Sequence, residues 1–172
     1  MIKLKTYIII NFFMIFTLQA QKLNKIIIDT KTQKEILVGK CNLDGLKTGE
    51  FGSVFNTEYK NYNPDHALIT LLQTKIKDIK IEIILGTWCG DSKDQVPRFI
   101  KILDILKYKT EKIDILCLDH FCKADGFDKE KRNIQRVPTF IIYRKNKEIG
   151  RIIETPTRTL EKDLLDILNT SI

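Results

Sequence analysis

Short apolar runs alternate with helical stripes over most of the chain. Runs at 80–85, 113–118 and 139–143 are rich in isoleucine and leucine, as expected for buried strands. Between the first two runs, apolar residues recur every three or four positions from 96 to 106, which predicts an amphipathic helix that begins near residue 89. A similar stripe predicts a helix over 65–76, with Asp65 as its cap.

The remaining segments complete an alternating pattern of strands and helices. Strands are predicted at 25–28, 35–38 and 148–153, the last after a tight turn at 145–147, and helices at 127–134 and 157–169. Three glycines predict a loop over 44–52. This segment lacks the G-K-[ST] sequence with which a phosphate-binding loop ends, so no nucleotide site is predicted there. The order of elements predicts a three-layer α/β/α domain with a central mixed sheet over 65–172, preceded by an N-terminal extension over 21–64.

The first twenty residues have the layout of a cleaved secretory signal. Lys3 and Lys5 precede an apolar stretch that ends in Leu18-Gln19-Ala20, with a small residue at the expected cleavage position. An uncleaved anchor is the alternative, but the apolar stretch is shorter than the ~20 residues that a spanning helix needs. We therefore expect a periplasmic or secreted protein without stable membrane insertion after cleavage.

Composition excludes several classes of function. The 172-residue chain has a net charge of +7, but its lysines stand singly among isoleucines and acids and form no arginine-rich stripe with aromatics, so no nucleic-acid surface is predicted. The four cysteines lack paired C-x-x-C spacing and the two histidines are isolated, so no metal site and no cofactor are expected. Disulfides can form and persist in an exported chain.

The segment Gly86-Thr-Trp-Cys-Gly-Asp-Ser92 carries the candidate chemistry. Cys89 follows a buried strand and is expected at the first turn of a helix, where free N–H groups and the helix dipole stabilise an anion. The thiolate is the nucleophilic form of cysteine, although Asp91 adds a negative charge nearby. A buried structural cysteine is the alternative, but the flanking glycines favour an exposed, reactive turn.

At this point the chain resembles the thioredoxin-like family. Trp88-Cys89-Gly90 matches the start of the family's W-C-G-P-C motif, Pro97 matches its helix proline, and Arg136-Val137-Pro138-Thr139 matches its cis-proline loop. The resemblance covers roughly residues 65–170, and the W-C-x-D-S form is similar to an exported bacterial branch. It implies a cis bond before Pro138 and a substrate-binding role for Trp88, Val137 and Pro138.

Two departures from the family pattern affect the expected mechanism. Ser92 replaces the second, resolving cysteine, so no disulfide can form within the motif, although its hydroxyl can donate a hydrogen bond to the thiolate. Ile83 stands where the family buries an aspartate, and Glu82 should face the opposite side of the strand. Cys89 and Ser92 remain the catalytic candidates of a monothiol C-x-x-S site.

Other cysteines are candidates for the missing resolving role. Cys117 lies in an apolar run and is expected in the core, whereas Cys122 follows that strand in a polar segment and is the possible resolving residue, against a free or structural cysteine. Cys41 lies in the extension and could pair with any of the others. His120 is expected to be a surface residue rather than an acid–base group.

The sequence therefore predicts an exported thioredoxin-like protein that exchanges disulfides through Cys89. Its partners would be protein thiols or disulfides, joined transiently as mixed disulfides. The alternative is a non-catalytic module that holds a client through the cis-proline loop. The hypothesis of a glutaredoxin-like monothiol protein has less support, because residues 89–92 do not match the C-G-F-S motif that is usual in such proteins.

Overall fold

The computed structural model describes residues 22–170, so the predicted signal peptide at 1–20 lies outside the described part of the chain. The described helices and strands, in chain order, are β1 Lys25–Ile28, β2 Glu35–Cys41, α1 Leu43–Leu46, α2 Gly49–Asn61, α3 His66–Gln73, β3 Ile79–Leu85, α4 Gly90–Ile105, β4 Ile113–Cys117, β5 Thr139–Arg144, β6 Lys147–Ile153 and α5 Leu160–Asn169. A short 3-10 turn at Thr110–Lys112 precedes β4.

The strands form one mixed sheet in the order β1-β2-β4-β3-β5-β6. Strands β3 and β4 are parallel and joined through α4, while every other neighbouring pair is antiparallel. The turn between β5 and β6 has positive φ at Lys145 and Asn146, as a two-residue hairpin turn requires. The predicted fold class, α/β with a central mixed sheet, is confirmed, and β1 and β2 of the extension extend that sheet.

The main core lies between one face of the sheet and the helices. Ile81 and Ile83 of β3 point to this face and are fully buried, together with Phe55 of α2 and Phe99 of α4. The Phe99 ring packs against Phe140 of β5, with 4.5 Å between ring centroids. Strand β3 is therefore held centrally, and its end fixes where the motif segment begins.

A second, smaller core lies on the opposite face of the sheet, to which every other side chain of β3 and β5 points. Ile84 and Ile141 pack there against Leu118, Ile134 and Val137 from the chain between β4 and β5. Trp88, Cys89 and Cys122, each partly buried, pack against the same core. The motif segment and the β4–β5 connection therefore meet at the carboxyl end of β3.

The prediction of a loop over 44–52 is wrong, because α1 and the start of α2 occupy it. A side chain at Gly52 would place its Cβ 2.2 Å from the carbonyl carbon of Lys47, so this glycine allows the two helices to meet closely. The overlooked signal is the four-residue spacing of Phe51, Phe55 and Tyr59, which α2 presents to α4 and the core.

The helix predicted over 127–134 is also wrong, since that segment forms only turns. The Asp128 carboxylate accepts the Lys131 N–H, and Asn133 then adopts a φ of 49° that ends the turn. Ile134 alone among these residues is buried, so no amphipathic stripe supports helix propagation. Within residues 22–170, none of the helices is long and apolar enough to cross a membrane.

Candidate active site

Cys89 is the N-cap residue of α4. Its φ of −80° and ψ of 132° are extended, and its carbonyl oxygen accepts the Lys93 N–H at 3.1 Å, the first hydrogen bond of the helix. The side chain makes no capping bond to the helix and is partly buried. The thiol thus stands beside the unpaired N–H groups at the start of a 16-residue helix.

The β4–β5 connection brings the proline loop to this thiol. The peptide bond between Val137 and Pro138 is cis, as the resemblance implies. The Cys89 thiol donates a hydrogen bond to the Val137 carbonyl oxygen at 3.2 Å. Two candidates that lie 48 residues apart in the chain are therefore in direct contact.

Ser92 lies in the first turn of α4 and is fully buried. Its hydroxyl oxygen accepts the Gly86 N–H at 3.3 Å, so it caps the end of β3. In this structure the Cys89 sulfur donates to Val137, and donation from the Ser92 hydroxyl to a Cys89 thiolate stays a prediction. Ser92 thus joins the strand to the helix at the position where the family carries its second cysteine.

Trp88, the residue before Cys89, is held against the ends of two strands. Its indole N–H donates to the Leu118 carbonyl oxygen at 2.9 Å, which ties the motif to the end of β4. A Cβ on Gly86 would lie 2.6 Å from the indole ring, so the absence of a side chain there is what lets the ring fold back over the strand end. The Trp88 ring is therefore positioned by contacts with the ends of β3 and β4.

His120 and Asp29 form a buried pair of side chains, and His120 packs against Trp88. The His120 ring stacks on Trp88 with 4.0 Å between ring centroids. Its Nδ1 lies 3.0 Å from a carboxylate oxygen of Asp29, and both side chains are largely buried, with 11% and 3% exposed. The expectation that His120 is a surface residue is therefore wrong, because the β1–β2 turn covers it.

Asp29 is the residue of this pair that the sequence did not reveal. Its carboxylate accepts the Thr32 N–H at 2.8 Å and the Thr32 hydroxyl at 2.5 Å. Hydrogen bonding from Thr32 holds the pKa of Asp29 below its ordinary value despite burial. The Asp-x-x-Thr spacing is the only local signal, and it predicts a turn rather than a contact with the motif.

Ile83 and Glu82 of β3 point to opposite faces of the sheet, as the alternation of side chains along a strand predicts. Ile83 is fully buried in the main core and supplies no proton-transfer group. Glu82 points to the opposite face, where it pairs with Arg132 and accepts the Tyr143 hydroxyl at 2.9 Å. Glu82 therefore forms an ion pair on the face of the sheet opposite the main core.

Cys122 lies in a well-formed turn at the end of β4. The Asp119 carboxylate accepts the Phe121 and Lys123 N–H groups, and Cys122 has a φ of 56°. This turn is more constrained than the movable polar segment expected from the sequence. Cys122 and Cys89 pack against the same small core as free thiols, and Cys122 also lines a cavity of about 760 Å³ beside β1.

The site offers a thiol but no ligand set for a metal. Within residues 22–170, no group of three His, Cys, Asp or Glu side chains is arranged to hold a metal ion. The arrangement combines a half-buried nucleophile, a helix N-terminus, an aromatic ring and an adjacent backbone carbonyl. Such a set can support thiol exchange.

Comparisons with known proteins bear on the fold alone. No family model and no curated protein matches the chain. Among solved structures, it is similar to a Pseudomonas aeruginosa protein of unknown function, with 15% identity and a TM-score of 0.46 over 68% of this chain and 75% of the other. Mitochondrial thioredoxin 3 of Saccharomyces cerevisiae gives 22% identity and a TM-score of 0.38 over 63% and 98%, and a thioredoxin of Schistosoma mansoni 23% and 0.38 over 63% and 92%. Roles of individual residues rest on the geometry of this chain.

Proposed function

We propose that this protein is a thiol–disulfide exchange protein that works through the single motif cysteine, Cys89. The observation that carries the proposal is the hydrogen bond of 3.2 Å between the Cys89 thiol and the carbonyl of Val137, the residue before cis-Pro138. A client chain that lies along this loop would present its sulfur beside a nucleophile already placed at a helix N-terminus.

The exchange proceeds by direct displacement between sulfur atoms. The Cys89 thiolate attacks one sulfur of a client disulfide, a mixed disulfide forms, and the other client sulfur leaves as a thiolate. Ser92 has no sulfur and cannot displace the client. If another thiol of the client attacks the client sulfur, Cys89 leaves as a thiolate and the client disulfide is isomerised. If a second, non-client thiol attacks the Cys89 sulfur instead, the client leaves reduced and Cys89 is joined to that second thiol.

When the client is reduced, the second thiol is an external one or Cys122. Cys122 shares the small core with Cys89 and Trp88, which keeps both thiols at the same end of the sheet. We propose Cys122 as an internal resolving residue. A disulfide requires Cα atoms about 4.4–6.8 Å apart, so Cys122 acts in this role when the Asp119 turn that holds it allows that approach to Cys89.

The cellular setting of the proposal is outside the cytoplasm. The charged head, apolar stretch and small-residue end of residues 1–20 support export. In an oxidising compartment, client proteins carry disulfides on which Cys89 can act.

A non-catalytic client-binding module is the second candidate. The specific observations in its favour are the loss of the second motif cysteine at Ser92 and the apolar side chain at Ile83. In that case the Val137–Pro138 loop would hold a client chain, and Cys89 would be dispensable.

Reactivation of a protein with scrambled disulfides distinguishes the two candidates. With reduced glutathione as the external thiol, we expect the protein to accelerate recovery of the native disulfides, and Cys89→Ser to abolish the acceleration. Cys122→Ser serves as the matched control and should retain activity, because glutathione can replace the internal resolving thiol. Equal activity of the parent and Cys89→Ser would exclude exchange through Cys89 and favour the binding module.

A further inference from the structure

Two cysteines outside the candidate active site lie side by side in the sheet. Cys41 ends β2 and Cys117 ends β4, and these strands are antiparallel neighbours. In the register, Cys41 pairs with Ile115 and Gly39 pairs with Cys117. The two cysteines, free thiols in this structure, are thus diagonal neighbours on the same face. In a regular ladder such neighbours are ~7–8 Å apart, more than the ~4.4–6.8 Å between the Cα atoms of a disulfide, so a bond between them requires a local departure from the regular strand.

The backbone at Gly39 allows the two sulfur atoms to approach. Gly39 has a φ of 90° within β2, so the strand bends there, and it places no side chain opposite Cys117. The Cys41 thiol turns back along its own strand and donates to the Gly39 carbonyl oxygen at 3.5 Å. The Cys41 sulfur therefore occupies the space that faces Cys117.

The surroundings of the pair suit a structural bond rather than a ligand. Both cysteines belong to the main core, and 7% of Cys41 and none of Cys117 is exposed. The pair lies on the helix-covered face, whereas Cys89 packs on the small core.

We propose that Cys41 and Cys117 form a disulfide that joins the N-terminal extension to the central sheet. The bond would close the 41–117 span of the chain, which contains α2, β3 and the motif helix α4. A cross-link over a span of this length restricts the unfolded chain and stabilises the native one. This bond is independent of the exchange proposed for Cys89.

The chemistry requires an oxidant that accepts two electrons, and a small disulfide such as oxidised glutathione supplies this class. The Cys41 thiolate attacks the oxidant, a mixed disulfide forms, and one small thiol leaves. Cys117 then loses its proton and attacks the Cys41 sulfur, which releases the second small thiol. Two protein thiols are oxidised and one external disulfide is reduced to two thiols.

The different environments of the two thiols set this order. Hydrogen bonding from Cys117 lowers the pKa of Cys41, whereas hydrogen bonding to Cys41 and burial raise the pKa of Cys117 well above its ordinary value. Cys41 also retains a small exposed area, whereas Cys117 has none. The attack by the external disulfide therefore falls on Cys41.

The test uses the chain from residue 21 onward with the double substitution Cys89→Ser and Cys122→Ser, so that only the proposed pair remains. After incubation with oxidised glutathione, we expect the intact mass to fall by two hydrogens, both thiols to resist alkylation after unfolding, and peptide mapping to find Cys41 linked to Cys117. The Tm should fall by several degrees when a reductant is added.

Two further variants keep the result decisive. Cys41→Ser, added to the same background, replaces the residue at the strand end and should remove both the linked peptide and the effect of reductant on Tm. Cys117→Ser should do the same and serves as an independent check on folding. Two alkylatable thiols in the oxidised, folded double variant would overturn the proposal, as would a stable glutathione adduct on Cys41 without closure to Cys117.

Discussion

At the scale of single residues, Ser92 decides what kind of exchange the proposed mechanism allows at this site. It is buried three positions after the nucleophile and accepts the Gly86 N–H, so its oxygen has a structural role at the end of β3. A sulfur at the same position would face Cys89 across the first turn of α4. The monothiol character of the site thus depends on one atom.

We expect Ser92→Cys to form a disulfide with Cys89 on oxidation and to gain insulin-type disulfide reductase activity over the parent. The gain should stay below that of a complete thioredoxin-like site, because Ile83 provides no buried acid for proton transfer. The measurement is insulin turbidity with dithiothreitol, together with peptide mapping of the oxidised variant.

Ser92→Ala is the matched control for this substitution. It should form no bond to Cys89 and gain no activity, and it should lose about 1 kcal/mol of stability, because the buried Gly86 N–H loses its acceptor. If Ser92→Cys also fails to form the 89–92 disulfide, the helix-start geometry described for Cys89 is wrong.

At the scale of elements, the β1–β2 turn supports the motif segment through Asp29. Asp29 orders its own turn through Thr32 and lies against His120, which stacks on Trp88. The extension thereby contacts the side chain next to the nucleophile. The turn acts as a positioning element for Trp88.

The charge of Asp29 should make this support depend on pH. Because hydrogen bonding from Thr32 lowers the pKa of Asp29 below 3.8, its charged form stabilises the fold at pH values above 3.8. That contribution disappears as the pH falls through the lowered pKa of the folded state. We expect Asp29→Asn to be less stable than the parent at pH 7, and the difference to shrink progressively below pH 3.8.

Urea unfolding followed by fluorescence measures this effect, since Trp88 is the single tryptophan of the chain and reports on the site itself. Thr30→Ala is a matched control in the same turn, because Thr30 is exposed and the hydrogen bonds to the Asp29 carboxylate come from Thr32. A stability difference between Asp29→Asn and the parent that stays constant from pH 7 to pH 3 would contradict the role of the charge.

The sequence predicted the elements with strong periodicity and missed those defined by contacts. Strands β3, β4 and β5 and helix α4 follow from their apolar patterns within a residue or two. Helix α2 was missed because Gly49 and Gly52 resemble loop residues, whereas Gly52 serves the close approach to Lys47. The Trp88–His120–Asp29 contact joins three distant segments, which no local pattern reveals.

At the scale of the whole molecule, the extension is part of the sheet and of the main core. Strand β2 pairs with β4, and α2 contributes Phe51 and Phe55 to the core beside α4. The predicted division of the chain into an extension at 21–64 and a domain at 65–172 stays a prediction. The contacts indicate that the second unit depends on the first.

We expect residues 65–172 alone to lack a cooperative unfolding transition. Without the extension, the edge of β4 would be open to pairing with other chains, and the apolar surface under α2 would face water. The measurement is thermal unfolding by circular dichroism, with residues 21–172 as the reference. A truncated chain that is monomeric and unfolds at the same temperature as the longer one would show that the extension is dispensable.

The central claim is that Cys89 is the thiol that exchanges with outside disulfides, and one experiment tests it directly. The Cys122→Ser variant is incubated briefly with glutathione disulfide near neutral pH, quenched with acid and mapped by mass spectrometry. We predict that the glutathione adduct appears first and predominantly on Cys89, and that it persists because Ser92 cannot release it. An unmodified Cys89 in the folded protein, with adducts only on other cysteines or none at all, would contradict the account.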